Sequence, residues 1–91
     1  MDRYREDMAE AFGLKKGQKV RVLEETMGDD HEGIEHTMPA GSIGWIDHIE
    51  FIPKQGTAFH VVIPVDETNE RCIVNVFDES DGPITNFLEA L

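Results

Sequence analysis

A single cysteine, Cys72, stands among the 91 residues, which excludes an internal disulfide framework and points to a reducing, cytoplasmic setting. No apolar run approaches the ~20 residues that a helix needs to cross a bilayer. The opening Met1-Asp2-Arg3-Tyr4-Arg5-Glu6-Asp7 has none of the apolar stretch of a secretory signal. Basic side chains are scarce after Arg21: residues 24–91 hold only Lys54 and Arg71 against fifteen acids, a net of −13, whereas residues 1–23 carry +2. A surface this acidic repels nucleic acid and anionic membranes at long range, so neither is an expected partner. Motifs of catalysis are missing too: no G-x-S-x-G, P-loop, dinucleotide fingerprint or HExxH occurs. The expectation is a chain that is not an enzyme and needs no cofactor.

What is present is an ordinary apolar fraction of 40%, with Val, Ile, Leu, Phe and Met recurring along most of the length. This predicts one folded domain over residues 1–91 with a small core. Tyr4, Met8 and Phe12 recur every four residues, with Ala9 and Ala11 beside them, which predicts a short N-terminal helix over 3–12 closed by Gly13. Lys19-Val20-Arg21-Val22 alternates charged and apolar residues and reads as a strand with Val20 and Val22 inward. Residues 25–38 lose all periodicity and read as a long, acidic loop.

The central stretch is Met38-Pro39-Ala40-Gly41-Ser42-Ile43-Gly44-Trp45-Ile46-Asp47-His48-Ile49, a tight turn feeding a bent strand. Ile46 and Ile49 are three apart, which breaks alternation and predicts a bulge or a sharp bend between them. Strands follow at 57–65, with Phe59, Val61, Ile63 and Val65 on one face, and at 71–77, with Cys72, Val74 and Val76 on one face. Pro64 marks an edge or a bulge, and Asn69 is the natural left-handed residue of the intervening turn. Residues 84–91 fit either a 3₁₀ turn with a closing strand or one short helix.

Lys16-Gly17-x-x-Val20-x-Val22, a long loop, then Pro39-Ala40-Gly41-x-x-Gly44-x-Ile46 resembles the opening of SH3-like barrels of the KOW type. The resemblance covers residues 14–91 and implies a mainly β fold, a small SH3-like barrel of about five strands with the N-terminal helix added. Glu35-His36-Thr37-Met38-Pro39 with Gly44-x-Ile46 is also similar to the barrel domain of the nitrile hydratase beta subunit. That family has an arginine where this chain has Met38, and a basic run that is missing here. No active-site residue transfers, because the metal ligands of that enzyme lie on its other subunit.

Four histidines invite a search for metal ligands. His31 and His36 lie five apart in the acidic loop and His48 and His60 on neighbouring strands, without a paired-Cys or helical His motif. They read as solvated or structural histidines, and no metal is expected. Asp78-x-Ser80-Asp81-Gly82 resembles half of a calcium loop, but Gly82 falls one position early and no acid closes the loop, so it reads as an Asx/Gly turn. Cys72, in a Val/Ile strand, reads as an inert thiol.

These readings lead to a small, acidic, cytoplasmic protein-interaction module. Its expected recognition surface joins Met27, Ile34, His36 and Met38 of the loop to Trp45. An accessory subunit of an enzyme complex and an acidic mimic of nucleic acid are the alternatives. The expected partner is a protein, and the expected state is a monomer or a weak homodimer.

Overall fold

The computed structural model of the chain describes residues 6–66, 68 and 70–91. The described strands in chain order are Glu6–Met8 (β1), Glu10–Ala11 (β2), Leu14–Lys15 (β3), Lys19–Val22 (β4) and Thr26–Asp29 (β5). They continue as Glu35–Met38 (β6), Ile43–Ile52 (β7), Gly56–Pro64 (β8), Cys72–Asp78 (β9) and Leu88–Ala90 (β10). Two 3₁₀ turns, Glu79–Asp81 and Ile84–Asn86, lie between β9 and β10. The fold is therefore mainly β, and no helix among the described residues is long and apolar enough to cross a membrane.

The main sheet runs β10-β4-β7-β8-β9, antiparallel throughout, and β1 pairs with the far half of β7. No described pairing joins β10 to β9, so no closed barrel is found. One face of this sheet carries the core: Val20, Val22, Ile46, Ile49, Phe59, Val61, Ile63 and Ile73 are fully buried. Leu14, Ile84 and Leu88 close around them, with Met8, Met38 and Phe77 packed at the margin. Their burial removes the apolar surface whose transfer from water drives folding of a chain this short.

The strand β7 is the spine. Its first residues pair with β4 (Lys19↔Trp45, Val20↔Gly44, Arg21↔Ile43) and its last with β1 (Met8↔Ile49, Asp7↔Glu50, Glu6↔Phe51), while β8 lies along the opposite side. Gly44 is required by close approach: a β-carbon there would lie 2.2 Å from the Val62 carbonyl oxygen. The register between β7 and β8 shifts between Ile46 and His48, leaving Asp47 as the extra residue of the expected bulge. Pro64 pairs with Cys72 of β9 but lies beyond the last β7–β8 pair, Trp45↔Val62. The next amide, Val65, donates to the Arg71 carbonyl at 2.9 Å, so the Pro64 nitrogen faces the β7 side, where no pairing is interrupted.

The expected helix over 3–12 is not seen. Residues 6–8 and 10–11 are extended, and residues 3–5, Tyr4 among them, lie outside the described residues. Ala11 pairs with Leu14 across Phe12 and Gly13, whose φ values of 51° and 80° make a two-residue hairpin turn of the primed kind. A spacing of four is even, so Met8 and Phe12 fit period 2 as readily as period 3.6. The open flank of β7 supplies backbone partners that a ten-residue helix, marginal by itself, does not have.

The unpatterned segment 25–38 is likewise not a plain loop. Strands β5 and β6 pair in register from Thr26↔Met38 to Asp29↔Glu35. At the C-terminal end the first of the two alternatives holds: a 3₁₀ turn, then β10 against β4 (Leu88↔Val22, Ala90↔Val20). Asn69 lies outside the described residues.

Candidate functional site

The residues expected to form one recognition surface fall on two sides of the sheet. Met27 and Ile34 are each 51% exposed on the β5–β6 hairpin, whereas His36 and Met38 turn toward the body of the protein and are half-buried. The hairpin packs on the core side of β9. A β-carbon at Gly28 would lie 2.8 Å from Asn75 Oδ1, and the Asn75 amide donates to the Met27 carbonyl at 2.8 Å and to Thr26 Oγ1. Trp45 pairs with Val62 and Val62 with Val74, so these three form a row on the opposite, outer face. The hairpin and Trp45 are thus separated by the sheet.

At the hairpin tip a carboxylate is saturated with donors. Asp30, whose side chain is completely buried, accepts N–H bonds from Glu32 at 2.8 Å and Ile34 at 3.1 Å through Oδ1. Its Oδ2 meets His36 Nε2 at 2.8 Å and the Arg71 guanidinium at 2.9 Å. Arg71 also pairs with Glu32. The His36 hydrogen bond foremost, with the two amides and Arg71, outweighs burial and holds the Asp30 carboxyl well below the usual carboxylate range. This cluster clamps the hairpin tip to the start of β9 and engages His36 internally.

The outer face of the β7–β8–β9 meander is different. Alternation places Val74 and Val76 outward at 52% and 50% exposure, beside half-buried Trp45 and Val62. In the next row His48 pairs with His60, which pairs with Val76. The two imidazoles stack with centroids 3.8 Å apart and planes inclined by 17°. Two residue pairs further, Glu50 brings Oε2 to 2.6 Å from His60 Nε2 and 3.7 Å from His48 Nε2. Asp47 Oδ2 lies 3.0 Å from His48 Nδ1. Because a carboxylate only accepts, each close ring nitrogen is the donor.

Other candidates find structural roles. Cys72 is half-buried, and burial followed by the charge of Asp66 pushes its thiol upward, away from nucleophilic use at neutral pH. Asp78 caps the 3₁₀ turn by accepting from the Ser80 amide at 2.9 Å, as an Asx turn does. An open groove of about 400 Å³ beside Phe12, Pro83 and Ile84 is lined in part by Glu79, whose carboxylate accepts from the Thr57 amide at 2.8 Å.

Sequence reading missed the meeting of His48, Glu50 and His60. The available signal was His48-x-Glu50 within a predicted strand, since period 2 puts both side chains on one face. The pairing of His48 with His60 depends on a register that passes through the bulge, and no local pattern specifies it. No protein-family model, curated protein or solved structure matches this chain.

Proposed function

We propose that the chain is a non-catalytic protein-interaction module of the cytoplasm, built as an SH3-like barrel arrangement, with the outer face of β7–β8–β9 as its docking surface. Support for the fold reading comes from the topology. The strand β4 pairs with the last, β10; a long hairpin separates β4 from β7; β7 is shared among three strand pairings, with β4, β1 and β8; and a 3₁₀ turn precedes β10. The KOW-type likeness of Lys16-Gly17 through Ile46 agrees with it in position.

The observation that carries the docking surface is the exposure of Val74 and Val76, at 52% and 50%, in the row-and-column neighbourhood of Trp45 and Val62. Adjacent exposed β-branched residues on a regular strand are an apolar patch of the kind that marks interaction sites. The same strand, Cys72-Ile73-Val74-Asn75-Val76-Phe77-Asp78, ends the sheet order and carries neither Lys nor Pro, the usual guards of a sheet edge. A net charge of −11 favours a partner with a basic rim, and steering of that partner weakens as salt rises.

The test compares two paired substitutions in affinity capture from the native cell. Val74→Asp with Val76→Asp is expected to lose the captured protein, and Met27→Ser with Ile34→Ser to retain it. Retention by the first pair and loss by the second would move the surface to the hairpin and reject this assignment.

A further inference from the structure

We propose that His48, Glu50 and His60 form a binding site for a divalent transition metal of the zinc type on the outer face of the sheet. The site is independent of the docking assignment, because it rests on the geometry of three side chains. The ligand atoms of the three residues all lie within 4.8 Å of one another. Two imidazole nitrogens and one carboxylate oxygen are the donor set of an open zinc site, with a fourth position left for water or an incoming group. Calcium and magnesium prefer an all-oxygen shell, so the two imidazoles select against them.

The strand geometry delivers these ligands without a loop. His48 and Glu50 are two apart on β7 and share a face, and His60 stands directly across from His48 on β8. Around a tetrahedral ion with bonds of 2.0–2.2 Å, neighbouring donors sit about 3.3 Å apart. The present separations of 3.7 Å and 2.6 Å from Glu50 Oε2 bracket that value. The last side-chain torsion of His is broad, so the stacked rings have the freedom to turn their nitrogens toward a shared ion.

Burial is graded in the direction an ion needs. The Glu50 side chain is 10% exposed, His60 20% and His48 36%, so the carboxylate forms the floor and the imidazoles form the rim. The outer shell is already in place at His48. Its Nδ1–H donates to Asp47 Oδ2 at 3.0 Å, which selects the tautomer whose Nε2 lone pair is available on the side of Glu50. At His60 the Nε2 proton is now held by Glu50 at 2.6 Å. The ion takes the place of that proton, which moves to Nδ1 of the same ring through solvent.

The test is titration of the full chain with Zn²⁺ against a competing chelator dye, with the imidazole nitrogens followed by long-range proton–nitrogen correlation NMR. One ion per chain is expected, with shifts at Nε2 of His48 and His60 and none at His31 or His36. Glu50→Gln and His60→Gln are each expected to weaken Zn²⁺ at least ~10-fold, Asp47→Asn less, and His31→Gln not at all. Zn²⁺ should also raise the melting temperature of the wild type and leave that of Glu50→Gln unmoved. Absence of saturable binding at millimolar Zn²⁺, or shifts confined to His31 and His36 with unchanged affinity in Glu50→Gln, would overturn the site. The NMR result on the wild type decides the matter even where a variant folds poorly.

Discussion

Asp30 and Glu50 both meet histidine, and they do so in opposite ways. Asp30 is completely enclosed and takes two backbone amides, an imidazole and a guanidinium. Glu50 stands at the floor of an open sheet face and turns one oxygen toward two stacked imidazoles. A buried charge is tolerated only when its hydrogen-bonding capacity is filled, and Asp30 meets that requirement with donors from three parts of the chain. Its neighbours are consumed in holding the hairpin. The Glu50 side chain keeps 10% exposure and meets two imidazoles on one sheet face, so similar residue types are arranged as a mouth instead of a knot. Residue identity alone does not separate the two; enclosure does.

The comparison can be broken first at Asp30. Asp30→Ala leaves two amides, His36 and Arg71 facing a void, and its melting temperature is expected to fall further than that of any variant below, as read by circular dichroism. Glu50→Gln keeps the shape of its site and should lie much closer to wild type; an equal loss at the two positions would erase the distinction between knot and mouth. The pH dependence follows from the direction of the shift. A carboxyl held low in the folded state contributes fully above its ordinary value of 3.8 and loses that contribution as pH falls below it. The stability gap between wild type and Asp30→Ala should therefore be constant above about pH 5 and shrink steadily between pH 4 and 2.

A smaller effect is expected at Gly28. A β-carbon there would meet Asn75 Oδ1 at 2.8 Å and the Ile73 β-carbon at 3.2 Å, so Gly28→Ala must displace the Asn75 side chain, with its bond to the Met27 carbonyl, or lift the hairpin from β9. Urea denaturation should show a cost of about 1–3 kcal/mol, typical of overpacking. An unchanged midpoint would mean that the hairpin rides free of the sheet. The smallest effect belongs to Arg21→Ala, which removes an ion pair to Glu89 at 2.8 Å whose side chains are 42% and 52% exposed. Surface pairs of this kind contribute about 0–1 kcal/mol, and a larger loss would show that the β4–β10 closure is more fragile than its register suggests.

Legibility from sequence followed the reach of each interaction. Strands β4 and β8 and a break in alternation after Ile46 were readable because alternation and turn chemistry are local. Residues 84–91 were too short for their period to choose between a 3₁₀ turn with a strand and a helix. The hairpin β5–β6 was hidden because Thr26-Met27-Gly28-Asp29 pairs a mostly polar strand with an equally polar partner, leaving no periodicity to read. The N-terminal segment failed for a different reason: its spacing fits two periods, and the backbone of β7, some forty residues on, chooses between them. On β9, Cys72, Val74 and Val76 share a face as expected; alternation did not say which face, and it is the outer one, with Ile73 buried. The Asp30 knot depends on Arg71, and the histidine pair on a cross-strand register, so both needed the fold.

The extra residue in β7 has a consequence that reaches past local geometry. Before Asp47 the inward residues are Gly44 and Ile46; after it the inward position is Ile49, and His48 faces out. In an uninterrupted strand the phase would run on from Ile46 to His48 and Glu50, driving two ionisable groups into the core and Ile49 into water. Deleting Asp47 itself would keep Ile46 and Ile49 inward with His48 outward, whereas ironing out the bulge with Asp47 retained would exchange the interior for the exterior over the rest of the spine. The chain's outer chemistry exists because its longest strand is out of step with itself by one residue.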